Sequence, residues 1–137
     1  MCLGGGRRIG ARWRIVAGMP ILGIGTDIVE TERVRELFER EESFGERVFT
    51  PVELDYSLSK QSRYLHLAAR FAAKEAVAKA LGRSFSWKDV ELVNNSDGKP
   101  LVNLYGEAKS VANGARVHVS LSHSDHYACA VAVVERD

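Results

Sequence analysis

The feature that most constrains the fold is an alanine-rich stretch whose smooth face needs a close partner. Residues 62–81 are rich in alanine and leucine, and Gly82 follows them as a C-cap, so they predict a long helix. Alanines spaced four residues apart make one flat side of this helix: Ala68, Ala72 and Ala76. The apolar run 21–29 predicts a strand in which Gly23 and Gly25 also permit close backbone approach. We therefore expect the helix to lie on a sheet with this strand at its centre.

The remaining pattern places helices and strands in separate groups along the chain. Further helices are predicted over 31–40, 50–59 and 106–113, and further strands over 90–94, 101–105, 117–122 and 127–135. The second of these helices opens with a capping threonine, Thr50, a proline in the first turn and Glu53 three residues on. This order predicts an α+β fold, a single domain with an antiparallel-type sheet covered on one face by helices.

Composition excludes several classes of protein. A chain of 137 residues suits one compact domain, and its net charge of +1 provides no overall field for nucleic acid or an anionic membrane. Cys2 and Cys129 are too few for a disulfide framework, which favours a reducing, cytoplasmic compartment. No apolar run reaches the length of about 18 residues that spans a bilayer. Residues 1–18 are interpreted as a disordered basic tail or as a mis-assigned start ahead of Met19.

Two acidic residues stand in apolar surroundings and are candidates for a metal site. Asp27 lies in the strand-like run, and Glu75 lies in the alanine-rich helix. Taken singly, Asp27 could cap the next helix or face water, and Glu75 could pair with Lys79 at the i,i+4 spacing. If the helix packs on the strand, the two carboxylates converge. Two oxygen ligands completed by water and phosphate suit Mg²⁺.

Basic residues on the same helix could neutralise phosphate oxygens. Arg70, Lys74 and Lys79 flank Glu75, and a solvated helix face is the alternative explanation for one of the three. On strand 117–122, alternation projects one imidazole and two hydroxyls together, in a row that a ligand or plain solvent would suit equally: His118, Ser120 and Ser122. His66 and His126 are interpreted as surface residues.

Four segments then match a known family in order. They are Gly23-Ile-Gly-Thr-Asp-Ile-Val-Glu30, Arg70-Phe-Ala-Ala-Lys-Glu-Ala-Val-Ala-Lys-Ala80, Gly98-Lys-Pro100 and His118-Val-Ser-Leu-Ser-His123. Together they resemble the holo-[acyl-carrier-protein] synthases, the short bacterial-type members of the 4′-phosphopantetheinyl transferase superfamily. The resemblance covers roughly residues 20–135 and implies a phosphopantetheinyl transferase domain, with that superfamily's fold, over residues 19–137.

The resemblance implies a reaction and roles for the residues. Coenzyme A would donate its 4′-phosphopantetheine group to a serine hydroxyl of apo acyl carrier protein, releasing adenosine 3′,5′-bisphosphate, in fatty acid biosynthesis. By motif, Asp27 and Glu75 would bind Mg²⁺, and Glu75 and Lys79 would be catalytic. Either Glu75 or a water on the metal would take the serine proton. The implied contacts with coenzyme A are Arg70, Lys79, Pro100 and His118.

The resemblance also implies partners. Arg33 and Arg40 would meet the acidic helix of the carrier protein, and the chain would form a homotrimer with active sites between subunits. Glutamates between residues 31 and 46 would repel that partner unless they face away from it. The loop 82–87 is shorter and bulkier than the glycine-rich loop of many relatives, so we expect it to reshape the pantetheine or adenine environment.

Two other functions use the same features. A noncatalytic module could bind a nucleotide or coenzyme A on this fold, because a fold does not fix a function. A metal-dependent phosphoesterase would hydrolyse coenzyme A without any carrier protein.

Overall fold

The order of helices and strands agrees with the α+β prediction. The computed structural model describes residues 20–136, and the expectation for residues 1–18 lies outside them. The strands are β1 (Ile21–Glu30), β2 (Val90–Asn94), β3 (Pro100–Leu104), β4 (Arg116–His123) and β5 (Tyr127–Glu135). The helices are α1 (Thr31–Arg40), α2 (Phe44–Val48), α3 (Pro51–Leu58), α4 (Arg63–Leu81) and α5 (Gly106–Ala112), with a 3₁₀ turn at Trp87–Asp89. The sequence pattern does not predict α2, which has only 5 residues.

The strands form two antiparallel groups. One sheet has the order β1-β5-β4, and β2 pairs with β3 separately. Asp27 lies opposite Ala130, which lies opposite Leu121 on its other side. The central strand is therefore β5, and the expectation that residues 21–29 form it is wrong. The C-terminal hairpin returns β5 between β4 and β1, which leaves β1 at the end of this sheet.

Helix α4 covers one face of the three-stranded sheet through small residues. Its alanines at 68, 72 and 76 are fully buried, and so are Ala128 and Ala132 of β5. A Cβ atom placed on Gly25 would lie 1.9 Å from the carbonyl oxygen of Ala76, and one on Gly23 would lie 2.0 Å from that of Ala80. The two glycines are thus required by the close approach of β1 to the helix backbone, as the sequence predicts.

The predicted start of α3 is confirmed, and it is tied to the second sheet. The Thr50 side chain accepts from the backbone N–H of Glu53, and a Glu53 carboxylate oxygen accepts from the backbone N–H of Thr50, 2.9 Å away. The other carboxylate oxygen accepts from the backbone N–H of Leu92 on β2, also at 2.9 Å. Because Glu53 is fully buried, these bonds fix α3 against β2.

The opposite face of the three-stranded sheet carries exposed apolar side chains. Ile24 and Ile28 on β1 are 63% and 66% exposed, and Val131 of β5 lies beside them. The helices thus cover one side of this sheet and leave an apolar surface on the other side.

Within residues 20–136, no helix is long and apolar enough to cross a membrane.

The contact between β1 and α4 predicts the effect of one added methyl group. Replacing Gly25 by Ala would drive a Cβ atom into the backbone of α4, so we expect the free energy of unfolding to fall by at least about 2 kcal/mol. Thr26→Ala on the exposed face of the same strand should change it by less than about 1 kcal/mol. Urea denaturation of both variants measures the difference, and equal midpoints would contradict the close approach.

Candidate functional site

The two acids singled out in the sequence lie near each other. Asp27 is on the side of β1 that faces α4, and Glu75 is on α4. The pKa of Glu75 is raised above its ordinary value, first by burial and next by the negative charge of Asp27, while the positive charge of Lys79 opposes the rise. Each carboxylate therefore lies within the electrostatic field of the other.

The side chain of Lys79 extends from α4 to β1. Its ammonium lies 3.2 Å from a carboxylate oxygen of Asp27 and donates to the backbone carbonyl of Thr26 at 3.0 Å. The ion pair that Lys79 forms is thus with Asp27 rather than with Glu75 at the i,i+4 position. The Lys79 side chain remains 47% exposed, so it is accessible to a ligand. The structure brings together Asp27, Glu75 and Lys79.

A cavity of about 240 Å³ opens beside Glu75. Its other walls come from α4 and from the segment 84–90 that follows it. Trp87 of this segment stacks on Phe71 of α4, with ring centroids 4.9 Å apart. The bulky loop noted in the sequence therefore forms one wall of the cavity next to Glu75.

Lys74 does not face this cavity as a free cation. Its side chain is 1% exposed, and its ammonium lies 2.8 Å from a Glu53 carboxylate oxygen. It also donates to the backbone carbonyls of Trp87 and Val90. Burial lowers the pKa of Lys74, and the charge of Glu53 acts against that change. The expectation that Lys74 neutralises phosphate does not fit, because all three N–H groups of the ammonium have partners.

Arg70 lines a second cavity, of about 390 Å³, beside the N-terminal half of α4. Its guanidinium donates to the Asn94 side-chain oxygen at 2.6 Å and lies over the Tyr56 ring, 4.2 Å from the centroid. Its buried Nε has no hydrogen-bond partner among residues 20–136. Pro100 lines the same cavity, so two of the predicted coenzyme A contacts lie together.

Two histidines also line the Arg70 cavity, and the sequence analysis assigned neither of them to a site. His66, which the sequence places at the surface, is half-buried, and its ring centroid lies 6.3 Å from that of His123. Burial, and then the positive charge of Arg70, lower the pKa of His66. His123 ends the matched motif on β4, which was the available signal for it.

The row of polar side chains predicted on β4 is present, but it lies away from the cavities of Glu75 and Arg70 along most of its length. Residues 118, 120 and 122 are all exposed on the face away from α4, as the alternation predicts. His118 lies 3.6 Å from Glu135 and lines a third cavity, of about 730 Å³. Lys99 lines both this cavity and the Arg70 cavity. Within one chain, the predicted coenzyme A contacts thus fall into three separate places.

The charges of α1 are divided between paired and unpaired arginines. Arg35 forms ion pairs with Glu32 and Glu39. Arg33 and Arg40 are exposed, and neither forms an ion pair with another residue in the part of the chain that the structure describes. Several glutamates of this region are therefore neutralised internally, while two cations remain available to a partner.

The described residues do not form a complete metal-binding site from side chains alone. Across residues 20–136, no group of three or more His, Cys, Asp or Glu side chains could hold an ion. Asp27 and Glu75 supply two hard oxygen ligands, so any ion there must complete its shell from water or substrate.

Comparison with known proteins identifies the class to which this fold and site belong. A family model described as the 4′-phosphopantetheinyl transferase superfamily matches residues 23–132, and the chain belongs to that superfamily. The individual proteins to which it is similar are holo-[acyl-carrier-protein] synthases. That of Clostridium novyi is 45% identical over 123 residues, which cover 85% of this chain and 89% of the relative.

Solved structures agree with this assignment. The holo-ACP-synthase of Plasmodium yoelii has a TM-score of 0.76 at 35% identity, covering 85% of this chain and 96% of that one. The holo-(acyl-carrier-protein) synthase of Bacillus anthracis, in complex with CoA (3′,5′-ADP), has a TM-score of 0.73 at 34% identity, covering 86% of this chain and 99% of that one. The predicted α+β phosphopantetheinyl transferase fold is confirmed.

The proximity of the two acids can be tested without any activity. Asp27→Asn removes a negative charge that disfavours ionisation of Glu75, so the pKa of Glu75 should fall toward its ordinary value. NMR titration of the Glu75 carboxyl group in metal-free protein measures the change. Asp125→Asn, in the exposed turn between β4 and β5, is the matched control and should leave it unchanged. If the pKa of Glu75 is the same in Asp27→Asn as in the wild-type protein, the two carboxylates do not interact.

Proposed function

We propose that this chain transfers the 4′-phosphopantetheine group of coenzyme A to a serine hydroxyl of apo acyl carrier protein, in fatty acid biosynthesis in the cytoplasm. The observation that carries the proposal is the cluster of two carboxylates and one accessible ammonium beside a cavity. Membership of the superfamily supports the reaction, because its relatives are holo-[acyl-carrier-protein] synthases.

The donor set fits Mg²⁺. Asp27 and Glu75 would hold it, because a cation between the two carboxylates would offset the effect of the Asp27 charge, which raises the pKa of Glu75. When bound, Mg²⁺ would supply positive charge to the pyrophosphate of coenzyme A. Two protein ligands leave coordination positions for phosphate oxygens and water, as is common for this ion.

Lys79 and Glu75 are the residues that we assign to catalysis. The serine oxygen bonds to the phosphorus that carries pantetheine, the phosphoanhydride P–O bond breaks, and adenosine 3′,5′-bisphosphate leaves with the electron pair. The ammonium of Lys79 is exposed enough to approach the phosphate oxygens, where it would stabilise the charge that develops. Glu75 is our candidate to receive the serine proton.

The nucleotide end of coenzyme A fits the Arg70 cavity. Arg70 offers a buried Nε donor without a partner among the described residues, and Lys99 and His123 line the same cavity beside Pro100. An anionic phosphate would satisfy that donor and meet further positive charge. We also assign His118 as a contact with coenzyme A, at the end of the nucleotide away from Arg70, because it lines the neighbouring cavity with Lys99.

A homotrimer would bring these separated places into one site. The face of the sheet away from α4 carries the exposed side chains of Ile24 and Ile28 together with Val131. A contiguous apolar surface of this kind is typical of a protein contact. Burial between subunits would cover it and would also place His118 at a subunit boundary.

Arg33 and Arg40 are our candidates for docking the acidic carrier protein. They are exposed on α1, and their charges are not neutralised by neighbours within residues 20–136, in contrast to Arg35. Cations at the edge of an interface speed association with a partner of opposite charge. The acids that would repel the carrier protein are partly held in ion pairs of their own.

One experiment separates this function from a noncatalytic coenzyme A-binding module and from a phosphoesterase. Apo carrier protein is incubated with coenzyme A and Mg²⁺, and mass spectrometry follows the serine. Asp27→Ala and Glu75→Ala should each lower the transfer rate by at least about a hundredfold, because metal-assisted charge stabilisation contributes several kcal/mol. Circular dichroism should show both variants folded, and Asp125→Ala should transfer at the normal rate.

The outcomes are distinct. Wild-type protein that binds coenzyme A but adds no mass to the serine is a binding module, and the transferase proposal then fails. Hydrolysis of coenzyme A in the absence of carrier protein identifies a phosphoesterase.

The docking face predicts a difference between two arginines of α1 that lie two positions apart. Arg33→Gln and Arg35→Gln change the net charge equally, but only Arg33 has no ion-pair partner among the described residues. We expect Arg33→Gln to raise the KM for carrier protein by about three- to tenfold more than Arg35→Gln at low salt. Steady-state kinetics with increasing sodium chloride should reduce the difference. Equal KM values at low salt would show that the docking face lies elsewhere.

A further inference from the structure

Lys74 has a set of partners that the transfer reaction described above does not use. Its buried ammonium has three N–H groups and three acceptors, namely a Glu53 carboxylate oxygen and the backbone carbonyls of Trp87 and Val90. No donor is left for a ligand. The residue therefore acts on the segment that carries the two carbonyls.

Glu53 anchors the other side of this contact. Its carboxylate is fully buried and also accepts from the backbone N–H groups of Thr50 and Leu92. A buried ion pair of this kind stabilises a fold weakly, because the cost of desolvating both charges offsets their attraction. What it does provide is a fixed position for the Lys74 ammonium between α3, β2 and the segment after α4.

The segment held by Lys74 forms a wall of the cavity beside Glu75. Residues 84–86 have no regular secondary structure, and the 3₁₀ turn Trp87–Asp89 follows them. Contacts with α4 come from the Lys74 ammonium and from the stacking of Trp87 on Phe71. Trp87 and Glu75 line the same cavity of about 240 Å³.

We propose that Lys74 is a positioning residue, which fastens the segment 84–90 to α4 so that the cavity beside Glu75 keeps the shape needed for transfer. The inference rests on the proposed function. A wall that moves by about 1 Å can lower a reaction rate a hundredfold without weakening substrate binding, because the reacting groups lose their alignment. The role predicts an effect on kcat, whereas a phosphate ligand would affect the affinity for coenzyme A.

Two variants separate the anchoring of the carbonyls from the charge of the pair. Glu53→Gln leaves Lys74 able to donate to both carbonyls, even as a neutral amine. The double variant E53Q/K74M removes both charges and both of these hydrogen bonds, and buried pairs replaced together by neutral side chains commonly leave the fold intact. Both are made in a Trp13→Phe background, so that Trp87 is the single tryptophan. Lys88→Met, on the exposed side of the same segment, is the surface control.

We expect E53Q/K74M to lower kcat for carrier-protein modification by about ten- to a hundredfold relative to Glu53→Gln. The KM for coenzyme A and its Kd by calorimetry should change by less than about twofold. Acrylamide should quench Trp87 fluorescence more strongly in the double variant alone. E53Q/K74Q, which restores two N–H donors, should recover part of kcat and of the protection of Trp87. Lys88→Met should match the wild-type protein.

Four results would overturn the proposal. In E53Q/K74M, kcat could be unchanged although Trp87 is more strongly quenched, or the Kd for coenzyme A could rise. Trp87 could be quenched equally in Glu53→Gln and in E53Q/K74M. Finally, E53Q/K74Q could recover neither kcat nor the protection of Trp87. If E53Q/K74M is unfolded at the assay temperature, it is compared with Glu53→Gln by the same readouts at a lower temperature at which circular dichroism shows it folded, and equal kcat values there overturn the proposal. If the wild-type protein transfers nothing, the proposed function fails, while Trp87 quenching still decides whether Lys74 holds the segment.

Discussion

The close approach of β1 to α4 is the contact on which the site depends. Gly25 lies against Ala76 and Gly23 against Ala80, with no space for a Cβ atom at either glycine. Two residues of a strand advance about 6.7 Å, and four residues of a helix advance about 6 Å, so strand and helix remain in step. The same step takes the strand position of Asp27 to the level of Ala72, and Glu75 lies three residues further along the same turn of α4. The acidic pair is thus a geometric result of the glycine–alanine contact.

Two lysines of α4 show how position decides the role of the same side chain. Lys74 points into the protein, where Glu53 and two carbonyls replace its water, and burial lowers its pKa. Lys79 lies at the edge of the helix–strand contact, half exposed and paired with Asp27. The first can organise structure and the second can meet a ligand. An ammonium is useful for binding phosphate only where solvent, and therefore substrate, can reach it.

Local signals in the sequence were sufficient for much of this structure. The alanine spacing, the capping residues at Thr50 and Glu53 and the alternation of β4 each depend on neighbours within a few positions, and all three are present. The order of strands was not predictable in this way, because β1 meets β5 across almost the whole chain.

The burial of charged side chains was also outside the reach of sequence reasoning. The sequence of α4 does not distinguish its buried cations, Arg70 and Lys74, from an exposed one such as Lys79. The partners that bury them, Glu53 and Asn94, come from distant segments. His66 was assigned to the surface for the same reason, since only the fold brings Tyr56 and His123 against it. The paired acids were predictable because a strand with glycines and a helix with alanines have few other ways to pack.

The position of β5 has a consequence for how the chain reaches this fold. The last strand along the chain lies between β4 and β1, and Ile21 is aligned with Glu135. During synthesis, β1 emerges before the other described strands and must wait for its neighbour β5, the last of them in chain order. Contacts of such long sequence separation slow folding, because a large loop must close before they form. Loss of β5 would therefore leave β1 without its neighbour in the described sheet and would separate β1 from β4.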